Sequence, residues 1–179
     1  MEDFSNFSLK RLEDGYSIKP FDCGDSDLND FLHKDSHNYQ KNLLAVTYVI
    51  ETEKETVAFF SLLNDKISVV DSESNNAWKK KFKDLMPADK RFRSYPAMKI
   101  GRLGVSNSFK GQKIGTAILD YLKKMFVSNN RTGCKFITVD AYADSLFFYT
   151  KNDFDFLTSK DHGQDTRVMY FDLIKLFNQ

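Results

Sequence analysis

The sequence predicts an α+β (α/β) fold: a mixed sheet around a parallel βαβ unit, with hairpin strands before it, a strand after it and helices on both sides. Three observations carry this. The apolar residues change period along the chain in an ordered way, from helical to extended and back. The stretches 99–105, 112–129 and 136–139 read as strand, helix and strand, and strands joined in this way lie parallel with a right-handed crossover. The chain has 179 residues, 41% hydrophobic and 15% aromatic, with 17 Phe. That suits one compact domain over 1–179, able to bury a core without disulfides or metals.

Residues 26–43 read as a helix. Ser26 stands as N-cap, Asp27 and Asp30 put negative charge in the first turn, and Leu28, Phe31, Leu32, Tyr39 and Leu43 recur at helical spacing. Val46-Thr47-Tyr48-Val49-Ile50 and Val57-Ala58-Phe59-Phe60-Ser61-Leu62 are β-branched and aromatic, and the polar Glu53-Lys54-Glu55 between them marks a hairpin. Ile67-Ser68-Val69-Val70 reads as a further short extended segment. After a loop composition at 71–76, Trp78, Phe82, Leu85 and Met86 fall at helical spacing until Pro87 stops the run. The 112–129 helix carries Ile114, Ile118, Tyr121, Leu122 and Met125 on one face. Phe136-Ile137-Thr138-Val139 is nearly continuous apolar strand, as expected where both faces are covered. Residues 145–151 form a short helix, and 168–171 the last strand.

Charge and cysteine content restrict the function classes. Lys plus Arg number 26 against 25 for Asp plus Glu, a formal net charge of +1. No global field draws nucleic acid or an anionic membrane, so such a partner must be met by a local patch. Cys23 and Cys134 have no metal-ligand spacing and are read as reduced, partly buried thiols. No stretch approaches the ~18 apolar residues of a membrane span, and the acidic start of the chain lacks the features of a signal peptide. The expectation is a cytoplasmic protein without a metal.

The chemistry-bearing stretch is Ser106-Asn107-Ser108-Phe109-Lys110-Gly111-Gln112-Lys113-Ile114-Gly115, between the first βαβ strand and its helix. A helix start leaves backbone N–H groups unpartnered and carries roughly half a positive charge, which favours phosphate. Gly111 and Gly115 admit close approach, and Lys110 and Lys113 complement a pyrophosphate. The spacing departs from a Walker loop, which needs four residues between its glycines, and from a dinucleotide fingerprint, which needs a third glycine. On residues alone this is a phosphate-cradling turn of open type, or an ordinary strand-to-helix turn.

Arg102-Leu103-Gly104-Val105 followed by Lys110-Gly111-Gln112-Lys113-Ile114-Gly115-Thr116-Ala117-Ile118-Leu119 resembles the coenzyme A motif of the GNAT superfamily of N-acetyltransferases, Gln/Arg-x-x-Gly-x-Gly/Ala. Two registers are open. The literal match is Gln112, Gly115 and Ala117; the spacing to the apolar pair Ile118-Leu119 instead assigns Lys110, Lys113 and Gly115 to the three motif positions. In the second register, which we prefer, Lys replaces Gln/Arg at 110 and Gly at 113. The second replacement puts a side chain where the family's backbone comes close to phosphate, though a residue opening a helix does not itself need positive φ. Phe148-Tyr149-Thr150-Lys151-Asn152-Asp153-Phe154 is similar to the family's Phe/Leu-Tyr-x-x-x-Gly-Phe, with Asp153 in place of Gly. Phe21-Asp22-Cys23-Gly24, Leu28, Phe31-Leu32 and Thr47-Tyr48-Val49 resemble a branch that includes the aminoacyl-tRNA-acetylating toxins.

The resemblance implies a mainly antiparallel GNAT sheet and direct attack of an amine on acetyl-CoA, without a covalent enzyme intermediate. It implies that backbone groups of Leu103, Gly104 and Val105 hold the pantetheine arm, with the N–H near Leu103 polarising the thioester carbonyl. Lys110, Gly111, Gln112, Lys113, Ile114, Gly115 and Thr116 would take the pyrophosphate, and Ser145 and Phe148 would line the cofactor. Tyr149 would be the general acid, a phenol of pKa ~10 facing a thiolate whose conjugate acid lies near ~8.5–10; its competing reading is a core aromatic. Strand 99–105 has no carboxylate, so no general base is assigned. Asp140, read as lying just past the second βαβ strand, acts through water or caps a loop.

His33 and His37 are four apart and read as a solvated helix face. His162 reads as an exposed loop residue. Segment 78–93 carries seven basic residues, Lys79, Lys80, Lys81, Lys83, Lys90, Arg91 and Arg93, against Asp84 and Asp89; it is either an amphipathic helix with a lysine-rich solvent side or an RNA-facing patch. Three functions stay open: N-acetylation of a small or protein amine, toxin-like acetylation of aminoacyl-tRNA with an antitoxin partner, and a non-catalytic acyl-CoA-binding module. A homodimer is compatible with the family.

Overall fold

The structure, a computed structural model, describes residues 7–82, 93–128 and 132–177. Its strands are β1 (Ser8–Arg11), β2 (Val46–Glu51), β3 (Thr56–Ser68), β4 (Ser94–Val105), β5 (Phe136–Tyr142), β6 (Asp155–Phe156) and β7 (Thr166–Asp172). Its helices are α1 (Ser26–Asp30), α2 (Ser36–Lys41), α3 (Asn75–Phe82), α4 (Ile114–Val127) and α5 (Leu146–Lys151), with one π turn over Phe31–Asp35. The strand order is β1-β2-β3-β4-β5-β7-β6. The chain divides into two compact units, Met1–Leu63 with Ile100–Met125, and Asn64–Lys99 with Phe126–Gln179.

In the first unit β1, β2 and β3 form an antiparallel meander, with Ser8 opposite Glu51 and Val46 opposite Leu62. The C-terminal half of β4 continues it antiparallel to β3: the Ser106 N–H donates to Val57 O at 2.9 Å as the strand ends. Phe21, Cys23, Phe31, Leu32, Val49 and Phe59 make one buried cluster. Phe21 meets Phe59 edge-on at 5.3 Å, and Phe31 stacks on it at 6.1 Å. On α4 the buried Ile114, Ile118 and Leu122 follow the expected stripe, joined by Leu119. Tyr121 and Met125 stay half-buried at its edge.

The first helix departs from expectation in an instructive way. Asp25, not Ser26, is the N-cap, its carboxylate accepting from Leu28 N–H at 3.0 Å. Further along, the buried Ser36 hydroxyl donates to Leu32 O at 2.6 Å, and the Ser36 N–H bonds Phe31 O instead. The side chain has taken the carbonyl that the i→i−4 ladder needs, and a π turn results. The longer turn shifts the phase of everything downstream. Tyr39 is consequently more exposed than the periodicity implied, and Leu43 lies past the helix at φ 58°, 93% exposed. His33 and His37 are turned to the chain before the helix: His33 Nε2 lies 3.3 Å from Phe21 O, and His37 Nε2 lies 2.9 Å from Tyr16 O. They tether a segment rather than merely facing solvent.

Glu51, at the end of β2, has no exposed side-chain surface. It accepts from Tyr16 Oη at 2.6 Å and pairs with Lys10 and Lys19 at 3.2 and 3.3 Å. Burial pushes its carboxyl up, but the bonds from Tyr16, Lys10 and Lys19 outweigh that and hold it below the usual range.

In the second unit the first half of β4 lies parallel to β5. Lys135 N–H donates to Pro96 O at 2.9 Å, Thr138 Oγ1 to Met98 O at 3.5 Å, and Lys99 pairs with Asp140, the partner numbers rising together. β5 pairs antiparallel with β7, which also takes the two-residue β6. The four residues from Phe136 to Val139 are all buried, as the apolar run implied. Ile67 completes β3 as one thirteen-residue strand rather than a separate segment, and Val69–Asp71 is a 3₁₀ turn. Trp78, Phe82, Phe136, Leu157 and Tyr170 pack with Ile67 and Ala97 into this unit's core. Residues 83–92, which include Leu85, Met86 and much of the basic segment, lie outside the described residues.

Candidate functional site

The turn after β4 is built from two devices. Gly104 faces the aromatic cluster, and a Cβ placed on it would stand 2.8 Å from Phe59 Cε1 and 3.2 Å from Phe21 Cζ. Its missing side chain is therefore required for packing, besides any approach by a ligand. Beyond Ser106 the chain makes a 3₁₀ turn over Asn107–Phe109 and passes extended through Lys110. It then enters the left-handed region twice, at Gly111 (φ 80°) and Lys113 (φ 60°).

Lys113 takes positive φ although a residue opening a helix does not itself need it. The first i→i−4 bond of α4 runs from Ala117 N–H to Lys113 O at 3.0 Å. Lys113 is thus the residue from which the chain enters the helix, and it does so at φ 60°. Position 113 holds the conformation that glycine adopts without penalty. It follows that the N–H groups of Ile114, Gly115 and Thr116 precede the helical ladder. With Gly111 open on all sides of its Cβ position, the 111–116 stretch has the donors and clearance that an anion requires.

The lysines are deployed unequally. Lys110 Nζ donates to Cys23 O at 2.8 Å, so its ammonium already serves the protein. Lys113 and Gln112 are exposed. Arg102 bonds its neighbour's carbonyl, Gly101 O, at 2.7 Å and lies over the Phe31 ring at 5.3 Å. Leu103 and Val105 are half-buried on β4.

Ser145, Phe148 and Tyr149 belong to the second unit. Ser145 occupies the N-cap of α5 without a side-chain capping bond. Tyr149 is buried between Phe148, edge-on at 5.0 Å, and Phe154 at 5.4 Å. Its spacing to Phe154 has a structural cause. Phe154 N–H bonds Tyr149 O at 3.1 Å and Asp153 N–H bonds Thr150 O at 3.1 Å, with Asp153 at φ 66°. This is a Schellman helix end, in which the residue after the left-handed one packs on the residue five before it. Burial pushes the Tyr149 phenol well above its usual range, further from a thiolate than expected but protonated throughout neutral pH.

Asp140 lies within β5 rather than past it, and its carboxylate meets Lys99 Nζ at 2.5 Å. Cys23 is buried and Cys134 half-buried, and both are free thiols; burial pushes both up in pKa. Among the described residues no group of His, Cys, Asp and Glu could hold a metal ion, and no helix is long and apolar enough to cross a membrane. On α3, Trp78 and Phe82 are core, Lys79 and Lys80 are exposed, and Lys81 Nζ donates to Phe156 O and Leu157 O, each at 2.7 Å. Lys81 is therefore a tether and not part of a free basic patch. Sequence reasoning missed Asn29 and Asn107, which bind the residues around Asp22 and whose only signal was their place beside turns.

Comparison with known proteins bears on family and fold. Residues 90–172 match the family model described as an acetyltransferase (GNAT) domain. No curated protein matches the chain in sequence. Solved structures resemble its fold over nearly its whole length. AtaT complexed with acetyl-methionyl-tRNAfMet matches with TM-score 0.75 at 21% identity, covering 97% of this chain and 99% of that one. A tyrosine-to-phenylalanine mutant of KacT matches with TM-score 0.76 at 17% identity, covering 97% and 99%. A tyrosine-to-phenylalanine mutant of the AtaT toxin, bound to the C-terminus of the antitoxin AtaR and acetyl-CoA, matches with TM-score 0.71 at 19% identity, covering 98% and 100%.

Proposed function

We propose that this chain is a GNAT acetyltransferase, its residues 90–172 matching that family model, and that it moves the acetyl group of acetyl-CoA onto a primary amine. The observation that carries this reading is the β4–turn–α4 geometry, with left-handed residues at 111 and 113 and the N–H groups of 114–116 ahead of the first helical bond. Acetyl-CoA would supply the activated thioester. The N–H groups of residues 111–116 take its pyrophosphate, and the backbone of Leu103, Gly104 and Val105 holds the pantetheine arm. The Leu103 N–H polarises the thioester carbonyl, Ser145 and Phe148 flank the cofactor, and Tyr149 protonates the departing thiolate. The raised pKa of Tyr149 keeps that proton in place at neutral pH.

For the acceptor, the fold likeness to AtaT complexed with acetyl-methionyl-tRNAfMet favours the α-amino group of an aminoacyl-tRNA over a small or protein amine. A protein partner equivalent to AtaR belongs to that same reading.

Release of free coenzyme A, measured with a panel of small amines, a protein lysine substrate and aminoacyl-tRNA, tests both levels. Turnover only with aminoacyl-tRNA supports the narrower reading, and turnover only with small amines overturns it. No turnover, with coenzyme A bound, points to a non-catalytic acyl-CoA-binding module. Tyr149→Phe is expected to lower kcat by ~10²-fold or more at unchanged coenzyme A affinity; unchanged kcat refutes its role as acid.

A further inference from the structure

We propose that residues 21–29 and the loop 106–110 form a hydrogen-bonded clasp in which Asp22, Asn29, Asn107 and Lys110 are positioning residues for coenzyme A binding. The proposal rests on the acetyltransferase reading above and assigns these side chains to the loop's shape, not to contact with the phosphates.

The clasp is saturated. Asp22 Oδ1 accepts from the Gly24 N–H and from Asn29 Nδ2, each at 2.8 Å. Its Oδ2 accepts from Asn107 Nδ2 at 3.4 Å, and its backbone carbonyl accepts from the Asn107 N–H at 2.9 Å. The other end of the Asn29 amide, Oδ1, accepts from Cys23 N–H at 3.0 Å and from the Cys23 thiol at 3.3 Å. Lys110 Nζ closes the ring on Cys23 O at 2.8 Å. Gly24 sits at φ 81°, and a Cβ there would stand 3.3 Å from Asn107 Oδ1, so glycine lets the two segments meet.

The clasp is mounted on a rigid base. Asp25 caps α1, and the next turn buries Phe31 and Leu32 against Phe59 in the unit's core. Asn107 and Lys110 stand at either end of the turn, whose Phe109 packs edge-on against Phe7 at 5.9 Å, so both ends of that stretch are pinned. The left-handed turns at Gly111 and Lys113 start from this fixed point, and their N–H groups are oriented before any ligand arrives. Preorganised donors bind more tightly because less ordering accompanies binding. The Gly24 N–H, followed by the Asn29 amide, holds the Asp22 carboxyl below its usual range, so it is ionised at neutral pH.

Titration calorimetry of coenzyme A into the full chain tests this, with Asp22→Asn, Asn107→Ala, Lys110→Met and the Asn107→Ala/Lys110→Met double variant. Each single change is expected to weaken coenzyme A by about tenfold, the loss typical of a charged hydrogen bond. KM for acetyl-CoA should rise while kcat at saturation stays within twofold. The double variant should lose much less than the product of the single losses, because both changes open one clasp. Losses that multiply would show that Lys110 binds phosphate directly and would overturn its role here. Affinities within twofold of wild type in Asn107→Ala and Lys110→Met, or a fall in kcat at constant KM, would overturn the clasp. Asn107 is exposed, so Asn107→Ala carries the test if Asp22→Asn fails to fold. A wild-type chain that binds no coenzyme A refutes the acetyltransferase reading and this proposal with it; tight binding by wild type and variants alike refutes the proposal alone.

Discussion

Replacing Lys113 by glycine should make the protein more stable, although it deletes a side chain. Lys113 stands at φ 60°, where an L-residue with a Cβ is disfavoured by ~1–2 kcal/mol. Glycine removes that cost but brings ~0.5–1 kcal/mol of additional entropy loss on folding. The net gain is ~0.5–1 kcal/mol, or a rise in Tm of ~1–4 °C for a domain of this size. Gly111→Ala is the mirror experiment. Gly111 sits at φ 80° with nothing within 4 Å of the added Cβ, so only backbone strain contributes, and Tm should fall by a similar ~1–4 °C. Thermal unfolding followed by circular dichroism reads both. A lower Tm for Lys113→Gly would mean that the lysine side chain contributes more than the turn costs, and the strain argument would be wrong. A higher Tm for Gly111→Ala would refute it equally.

Asp153→Gly at φ 66° should stabilise by less, ~0.5 kcal/mol, because Asp tolerates this region better than Lys; chemical denaturation midpoints resolve the ordering of the two variants. Gly104→Ala should destabilise by ~1–3 kcal/mol through overpacking against Phe59 and Phe21; an unchanged midpoint would show that the rings can move aside freely. Glu51 has a carboxyl held below the usual range, so its contribution is present above the unfolded pKa of ~4.3 and is lost as pH falls through the lower folded value. Glu51→Gln should therefore cost ~1–3 kcal/mol at pH 7 and flatten the acid limb of a stability–pH curve; an unaltered limb would assign acid sensitivity elsewhere.

Periodicity made much of the fold legible. The α4 stripe, the β2–β3 hairpin and the buried run of β5 follow local patterns that any neighbour would satisfy in the same way, and they occur where the sequence placed them. The βαβ unit was legible for the same reason, since strand, turn and helix are contiguous in the chain. The short strands β1 and β6 were not, because four or two residues carry no period and become strands only by pairing with β2 and β7. A polar stretch at 64–66 concealed that β3 is one long strand.

What only the tertiary structure decided depends on partners distant in sequence. Ser36 looks like any helical serine until its buried hydroxyl takes Leu32 O as acceptor, and the π turn that follows moves Tyr39 and Leu43 off the apolar stripe. Lys113 and Asp153 were legible as replacements for glycine, but their left-handed backbone was not, because the surrounding chain imposes it against their own preference. Asp22 and Asn107 are 85 residues apart and meet in one clasp. The sequence by itself determined the order of the longer elements and placed a glycine-bearing turn before α4. The structure decided which polar side chains hold that turn in shape, since a hydrogen bond between distant residues leaves no period in the chain to read.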